Sequence, residues 1–226
     1  MARKKATRKE LLKSPDEFMT FSSRAIEFYR AHQKQFQYAG MAVCLIILAY
    51  LGFNTYMRYV NRKGQAAYNE AYYTLMKKVR PNMTTQDLKK AEELFDKVRR
   101  EYGLSKAARL AIPQVAYGKF AEKKYDEAIA LYREFLENVS GDREYESLTL
   151  LALGACYESK GDLKAAMDIL NPLIHLQDNP FRDMALMSLA RLYRLENRPE
   201  KEKELLKQLV EQYPESPYYP IAKSRL

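Results

Sequence analysis

The hydrophobic pattern divides the chain into an uncharged stretch near its start and a long amphipathic remainder. Residues 35–57 carry no formal charge, and Ala39–Phe53 consists entirely of apolar, aromatic or small residues. At about 1.5 Å of rise per residue, a helix over residues 38–57 extends for roughly 30 Å, which is the hydrocarbon thickness of a bilayer. The pattern therefore predicts a transmembrane helix over residues 35–57.

Two other interpretations of this stretch stay open. A cleaved signal peptide has a short basic start and small residues at its exit, whereas 34 residues precede this stretch and its end offers no good cleavage site. A buried core helix usually keeps a polar stripe, and Ala39–Phe53 has none. The uncleaved anchor is the favoured interpretation, because tyrosines cluster towards both ends of the stretch, where amphipathic rings prefer the membrane interface.

The residues before the stretch, 1–34, form a basic tail with an amphipathic pattern. Ser14-Pro15 followed by acidic residues is a typical helix start. Apolar and aromatic residues then recur at spacings of three and four, which places them on one helix face: Phe18, Phe21, Ala25, Phe28, Tyr29 and Phe36. This helix either lies on an anionic membrane surface, or on a partner there, or simply extends the anchor.

The distribution of basic residues predicts the orientation of the anchor. The tail carries nine Lys and Arg residues against four acidic ones, which favours a cytoplasmic N-terminus and export of the C-terminal domain. Close to the stretch the count is balanced, with three basic residues on each side. We therefore expect the tail inside and residues 58–226 outside.

Residues 58–226 are predicted to form an all-α domain of repeated helical hairpins. The most specific motif is Leu153-Gly154-x-x-Tyr157-x-x-x-Gly161-Asp162-Leu163-x-x-Ala166-x-x-x-Leu170. It resembles the tetratricopeptide repeat, a unit of two antiparallel helices with a tight turn between them. Short side chains at Gly154 and Ala166 let the two helices approach closely, and Gly161 permits the turn.

Three units fit this template in register, and a fourth, degenerate one precedes them. The neighbouring units supply Val115, Ala116, Phe120, Tyr125, Ala128, Tyr132 and Phe135 on one side and Leu189, Ala190, Tyr193, Leu206, Leu209 and Pro214 on the other. The degenerate unit has a first helix over Gln65–Val79, broken by Pro81, and a second that starts at Thr84 or Thr85. The sequence therefore predicts a tetratricopeptide-like solenoid of about four units.

The distance between repeats varies. Ala128 and Ala166 are 38 residues apart rather than 34. We attribute the difference to a lengthened loop over Asn138–Glu146.

A basic tail, one span and a degenerate four-unit repeat domain together resemble the YfgM-like family of bacterial inner-membrane proteins. The resemblance covers most of the chain and rests on architecture and repeat positions. It implies a periplasmic repeat domain associated with the export translocon, in contact with periplasmic chaperones or exported client chains.

Composition excludes several other functions. Residues 58–226 hold 29 basic and 25 acidic residues with interspersed signs, which is not the basic surface of a nucleic-acid-binding protein. The two cysteines, Cys44 and Cys156, lie in the predicted span and within a repeat, so no disulfide is expected. The two histidines are far apart, and the sequence lacks phosphate-binding and nucleophile motifs. We expect no catalytic residues, no metal and no cofactor.

A peptide-binding groove is the predicted functional site. In this type of repeat the first helix of each unit lines the groove, and the projected positions are Tyr117, Phe120, Leu151, Ala155, Glu158, Met187, Arg191 and Arg194. Apolar side chains with two arginines at one end suit an extended or helical peptide that carries a carboxylate. The alternative for Leu151 and Met187 is that they only pack between helices.

These observations predict a membrane-anchored protein-interaction scaffold whose partners are translocon subunits, chaperones or exported clients. A second hypothesis is a stoichiometric assembly factor of an envelope machine, such as a secretion, pilus or outer-membrane assembly apparatus. A third is an anchored adaptor whose repeats stay in the cytoplasm.

Overall fold

The computed structural model describes residues 17–78, 85–176 and 178–226, and these residues contain ten α-helices and no β-strand. In chain order the helices are α1 (Glu17–Ala31), α2 (Gln33–Lys78), α3 (Thr85–Glu101), α4 (Lys106–Ala121), α5 (Tyr125–Asn138), α6 (Arg143–Lys160), α7 (Leu163–His175), α8 (Arg182–Leu195), α9 (Pro199–Gln212) and α10 (Tyr219–Lys223). The chain divides into two compact units, residues 1–56 and 57–226.

Helix α1 forms the described part of the predicted tail helix, whose expected start at Ser14-Pro15 lies outside the described residues. A turn at His32 separates it from α2, and the imidazole Nδ1 of His32 lies 3.0 Å from the carbonyl oxygen of Phe28. The rings of Phe28 and Tyr29 lie 6.1 and 5.3 Å from the ring of Phe36. These aromatic side chains are exposed, so an apolar patch follows the turn into α2.

Helix α2 is one continuous element of 46 residues. It holds a window of mean hydropathy 1.8 in which no residue is buried, long and apolar enough to cross a membrane. The predicted helix over Gln65–Val79 is present as far as Lys78, but its expected start at Gln65 is wrong. The helix continues from the apolar window because no helix-breaking proline separates the two segments. The expected boundary signals at Pro81 and Thr84 lie outside the described residues.

The remaining helices pair into hairpins that stack along the chain, with the second half of α2 and α3 as the first pair. The ring of Tyr68 on α2 meets the ring of Phe95 on α3 edge-on at 5.2 Å. The core continues through α4, α5 and α6 around Tyr132 and Leu153, and then through α7, α8 and α9 to Ala222 of α10. The prediction of an all-helical, tetratricopeptide-like solenoid is confirmed.

The motif residues of the α6–α7 hairpin lie where the template requires. A Cβ added to Gly154 would come within 2.7 Å of the Leu170 side chain, and Ala166 is completely buried. Gly161 adopts a left-handed conformation at φ +87°, and the Asp162 carboxylate accepts a hydrogen bond from the Ala165 N–H at 3.0 Å. Glycine and aspartate thus end one helix and begin the next within two residues.

The predicted long loop over Asn138–Glu146 is not present. Helix α5 ends at Asn138, and α6 begins at Arg143 behind the capping carboxylate of Asp142. The additional residues of this repeat extend α6 to 18 residues instead. The prediction failed because Gly141 and Asp142, which are typical of loops, here form a tight turn and a helix cap.

Candidate peptide-binding recess

A recess of about 360 Å³ lies between the first helices of two consecutive repeats, α6 and α8. We call it the α6–α8 recess. Its walls are Leu148, Leu151, Ala152 and Ala155 from α6, Met184, Met187, Ser188 and Arg191 from α8, and Tyr218 from the segment before α10.

Helical periodicity explains why these side chains converge. On both helices the lining positions are separated by three, four and seven residues, which places them on one face of each helix. Leu153 and Cys156 on α6, and Leu186 and Leu189 on α8, point into the core and are almost fully buried. The recess-lining leucines and methionines retain exposure, and Leu148 is 41% exposed. Leu151 and Met187 also pack against the core, so the recess offers apolar surface that the fold covers only in part.

One ion pair closes the rim of the recess. The Arg191 guanidinium donates to the Glu158 carboxylate at 2.6 Å, with the two side chains 44% and 18% exposed. The expectation that both arginines are available for a ligand carboxylate therefore needs correction for Arg191, whose charge is already balanced within the chain. Arg194 is exposed and has no acidic partner among the described residues.

Two of the eight predicted residues lie in the neighbouring repeat. Tyr117 on α4 is half exposed, while the Phe120 ring packs 5.7 Å from the ring of Tyr125 against the core around Tyr132. Neither side chain lines the α6–α8 recess. The structure brings together Leu151, Ala155, Met187 and Arg191, adds Glu158 through its ion pair, and leaves Tyr117, Phe120 and Arg194 outside.

Five further lining residues were absent from the prediction: Leu148, Ala152, Met184, Ser188 and Tyr218. Leu148 and Met184 lie three residues before Leu151 and Met187, so their helical spacing could have identified them. Tyr218 could not be identified in this way, because it comes from an irregular segment after the last complete repeat.

Hydrogen bonds hold Tyr218 at the end of the recess. The Ser216 hydroxyl donates to the Asp183 carboxylate on α8 at 2.6 Å and accepts from the Tyr218 N–H at 3.1 Å. The C-terminal segment thus forms part of the site.

The buried face of α6 carries the single cysteine of residues 58–226, Cys156. It is completely buried, and burial raises the pKa of its thiol to about 11. Burial also raises the pKa of the neighbouring Tyr132 phenol. A thiol that keeps its proton at neutral pH is a poor nucleophile, so Cys156 behaves as a small apolar core residue.

Comparison with known families and structures matches the repeat architecture. A family profile described as "tetratricopeptide repeat-like domain" matches residues 28–174, and a second, described as "tetratricopeptide repeat", matches residues 184–216. No curated protein matches the sequence.

Two crystal structures of nearly identical TPR-like repeats, from a protein described as a kinesin light chain of Podosopora anserina, are similar to the chain. They share 17% identity over 72% of this chain and 82% of their own, with TM-scores of 0.56 and 0.55. This likeness supports the fold alone.

Proposed function

Because the chain belongs to the tetratricopeptide repeat-like domain family, we propose that it is a membrane-anchored scaffold that binds other proteins through its α6–α8 recess. The repeats indicate a protein–protein interaction scaffold, and families of this kind are typically non-catalytic. The proposal assigns residues 1–34 to a cytoplasmic tail, 35–57 to the span and 58–226 to the binding domain.

The observation that carries the proposal is the partly exposed apolar face of the recess. Leu148, Met184 and Met187 occupy positions where a solvated helix face would hold polar residues. Methionine side chains adapt their shape to different apolar partners, which suits a scaffold with several clients. The exposed cation of Arg194 lies one turn beyond Arg191 and favours a partner segment with an acidic group.

The unburied apolar window of α2 supports the anchor. A core helix of a soluble protein is mostly buried, whereas this window has no buried residue. A cleaved signal sequence shares that property, so the anchor needs a direct test. The family match begins at residue 28 and therefore covers the apolar window together with the first repeats.

We further propose that the protein is related to the YfgM-like family. It then lies in a bacterial inner membrane, with its repeat domain in the periplasm. Its partners are then translocon subunits, periplasmic chaperones and exported client chains. Support for this assignment comes from the order of basic tail, apolar window and repeats, which the chain shares with that family.

Site-specific photocrosslinking in cells tests the proposal. A photoreactive residue replaces Leu148 or Met187 in the recess, and the same residue replaces the exposed Lys164 on α7 as the control. We expect adducts with translocon subunits, chaperones and diverse clients from the recess positions only. Capture of a single envelope-machine component instead supports the assembly-factor hypothesis. Equal adducts from Lys164 would refute the recess as the binding site.

A C-terminal alkaline-phosphatase fusion and alkaline extraction of membranes test the anchor. Phosphatase activity in a membrane-bound chain is expected. A chain released from the membrane would contradict the anchor, while a bound but inactive fusion would favour the cytoplasmic adaptor.

A further inference from the structure

The loop between α3 and α4, residues 102–105, is attached to α2 shortly after the proposed span. The Lys106 N–H that follows this loop donates to the Asn61 side-chain oxygen at 2.9 Å. Gly64 lies so close to Ser105 that an added Cβ would come within 2.5 Å of the serine hydroxyl. Ser105 is completely buried in this contact. The loop is therefore held firmly against the segment Asn61–Gly64.

The loop presents an apolar tip, and four exposed cations lie on the adjoining parts of α2 and α4. Leu104 is 63% exposed, the highest value for a leucine among the described residues outside the apolar window. Lys106 and Arg109, three residues apart, are exposed on one face of α4 and line one recess. Arg58 and Arg62, four residues apart, lie on one side of α2 next to Asn61. Among the described residues none of these four cations has an acidic partner.

The acidic groups around the loop already have partners within the chain. Asp96 pairs with Arg99 and Arg100 at 3.3 and 3.1 Å, and Glu134 pairs with Arg99 at 3.5 Å. Glu101 lies 4.0 Å from Lys97. Asp142, on the far side of the recess beside Lys106, caps α6. The surface of the loop therefore has an excess of positive charge.

The position of Asn61 sets the height of the loop above the membrane. It lies four residues after Met57, which corresponds to about 6 Å of helix rise. The headgroup layer on each side of the hydrocarbon core is roughly 5–8 Å thick. Because Lys106 is bonded to Asn61, the proposed span would hold the loop near the level of the headgroups.

From this geometry we propose that Leu104, Lys106 and Arg109, with Arg58 and Arg62, form a binding surface for anionic phospholipid headgroups. The leucine enters the interface while the four cations contact lipid phosphates, as in other peripheral membrane contacts. This inference rests on the anchor of the proposed function. It adds a second contact with the bilayer, which fixes how the first repeat meets the membrane surface.

Spin labelling of the full chain in lipid nanodiscs tests the proposal. In a Cys44→Ala background, a nitroxide is attached to Leu104→Cys, and to Leu195→Cys as an equally apolar, 51% exposed control at the C-terminal end of α8. Discs contain either about one third phosphatidylglycerol or phosphatidylcholine alone. We expect collisions of the label at position 104 with a water-soluble nickel complex to fall at least about twofold in anionic discs, and those at position 195 to stay unchanged.

Charge reversal distinguishes headgroup binding from simple burial of the loop. Lys106→Glu with Arg109→Glu should restore access of the nickel complex to position 104, and the matched pair Lys164→Glu with Lys203→Glu should not. Equal shielding in neutral and anionic discs, or no shielding in a chain that stays in the discs, would overturn the lipid surface alone. A chain that does not co-fractionate with the discs would overturn the anchor and, with it, this proposal.

Discussion

At the residue scale, two close approaches determine how tightly the hairpins pack. Gly154 lets α6 lie against Leu170 of α7. Gly118 on α4 lies against Glu92 of α3, where an added Cβ would come within 2.5 Å of the carboxylate. That carboxylate is nearly buried and receives a hydrogen bond from Lys119 at 2.9 Å, which raises the pKa of the lysine. Neither helix crossing tolerates a larger side chain without movement of its neighbour.

The substitution Gly154→Val tests the first crossing. Since the new side chain overlaps Leu170, we expect the free energy of unfolding to fall by about 1–3 kcal/mol. Urea unfolding of the full chain in detergent, followed by circular dichroism, measures this. Gly103→Ala is the control, because its methyl group meets only the Arg99 carbonyl oxygen at 3.4 Å. An equal effect of both substitutions would contradict the assignment.

The buried thiol of Cys156 predicts a pH dependence of stability. The folded chain keeps this proton up to a pKa of about 11, whereas an unfolded chain loses it near 8.5–9. Between these values the folded state binds more protons, so stability is complete below about pH 9 and decreases towards pH 11, by roughly 1–3 kcal/mol. Cys156→Ala should remove this component, and Cys44→Ala should leave it. Identical pH profiles for both variants would argue against it.

At the element scale, the repeat pattern predicted the pairing of helices better than their lengths. The positions of Gly154, Gly161 and Ala166 were sufficient to place the α6–α7 hairpin, because each is required by a close approach or a turn. The start of α6 and the continuity of α2 were not predictable in this way. The α6 start rests on a turn and cap at Gly141 and Asp142, residues that are equally typical of loops. The continuity of α2 follows from the absence of a proline between Gln33 and Lys78, which repeat spacing does not reveal.

The rim ion pair on α6 and α8 provides a test at this scale. Arg191→Ala should change the free energy of unfolding by less than about 1 kcal/mol, because the pair is solvent-accessible. Arg191→Glu faces Glu158 and should cost more, and Glu158→Arg in the same chain should recover the difference. Urea unfolding of the single and double variants measures the coupling.

Charge reversal of the arginines near the rim should also weaken partner binding, which is measured separately from stability. We expect Arg191→Glu with Arg194→Glu to reduce capture from position 148, because both cations at that end of the recess are reversed. Unchanged capture in a folded variant would remove Arg191 and Arg194 from the binding site. The recess itself could be predicted from helical spacing, whereas the Arg191–Glu158 pair and Tyr218 required the fold.

At the scale of the whole molecule, the stacked hairpins need a cover at their C-terminal end. Leu206 and Leu209 of α9 are completely buried in a core that includes Ala222 of α10 and contacts Tyr218. The end of a solenoid otherwise exposes the apolar face of its last helix. The short segment after α9 thus closes the stack and also completes the recess.

Removal of residues 213–226 tests the double role of this segment. We expect a loss of at least about 2 kcal/mol of stability, because apolar surface on α8 and α9 becomes exposed. Removal of residues 224–226 alone should have little effect, since these residues are exposed. Thermal unfolding by circular dichroism separates the two. Equal stability of both truncations would show that α10 does not act as a cover.

The continuity of α2 also has a consequence for biosynthesis. The core side chains of its second half, such as Ala71, pack with residues that extend as far as Val115 on α4. Roughly 40 further residues must leave the ribosome before that face is covered, which takes about 2–9 s at ordinary rates of synthesis. The second half of α2 is thus synthesised, and on the proposed topology exported, before the helices that cover its core face. Each later hairpin meets a surface that is already in place, so the solenoid grows in one direction, from its first hairpin towards its last.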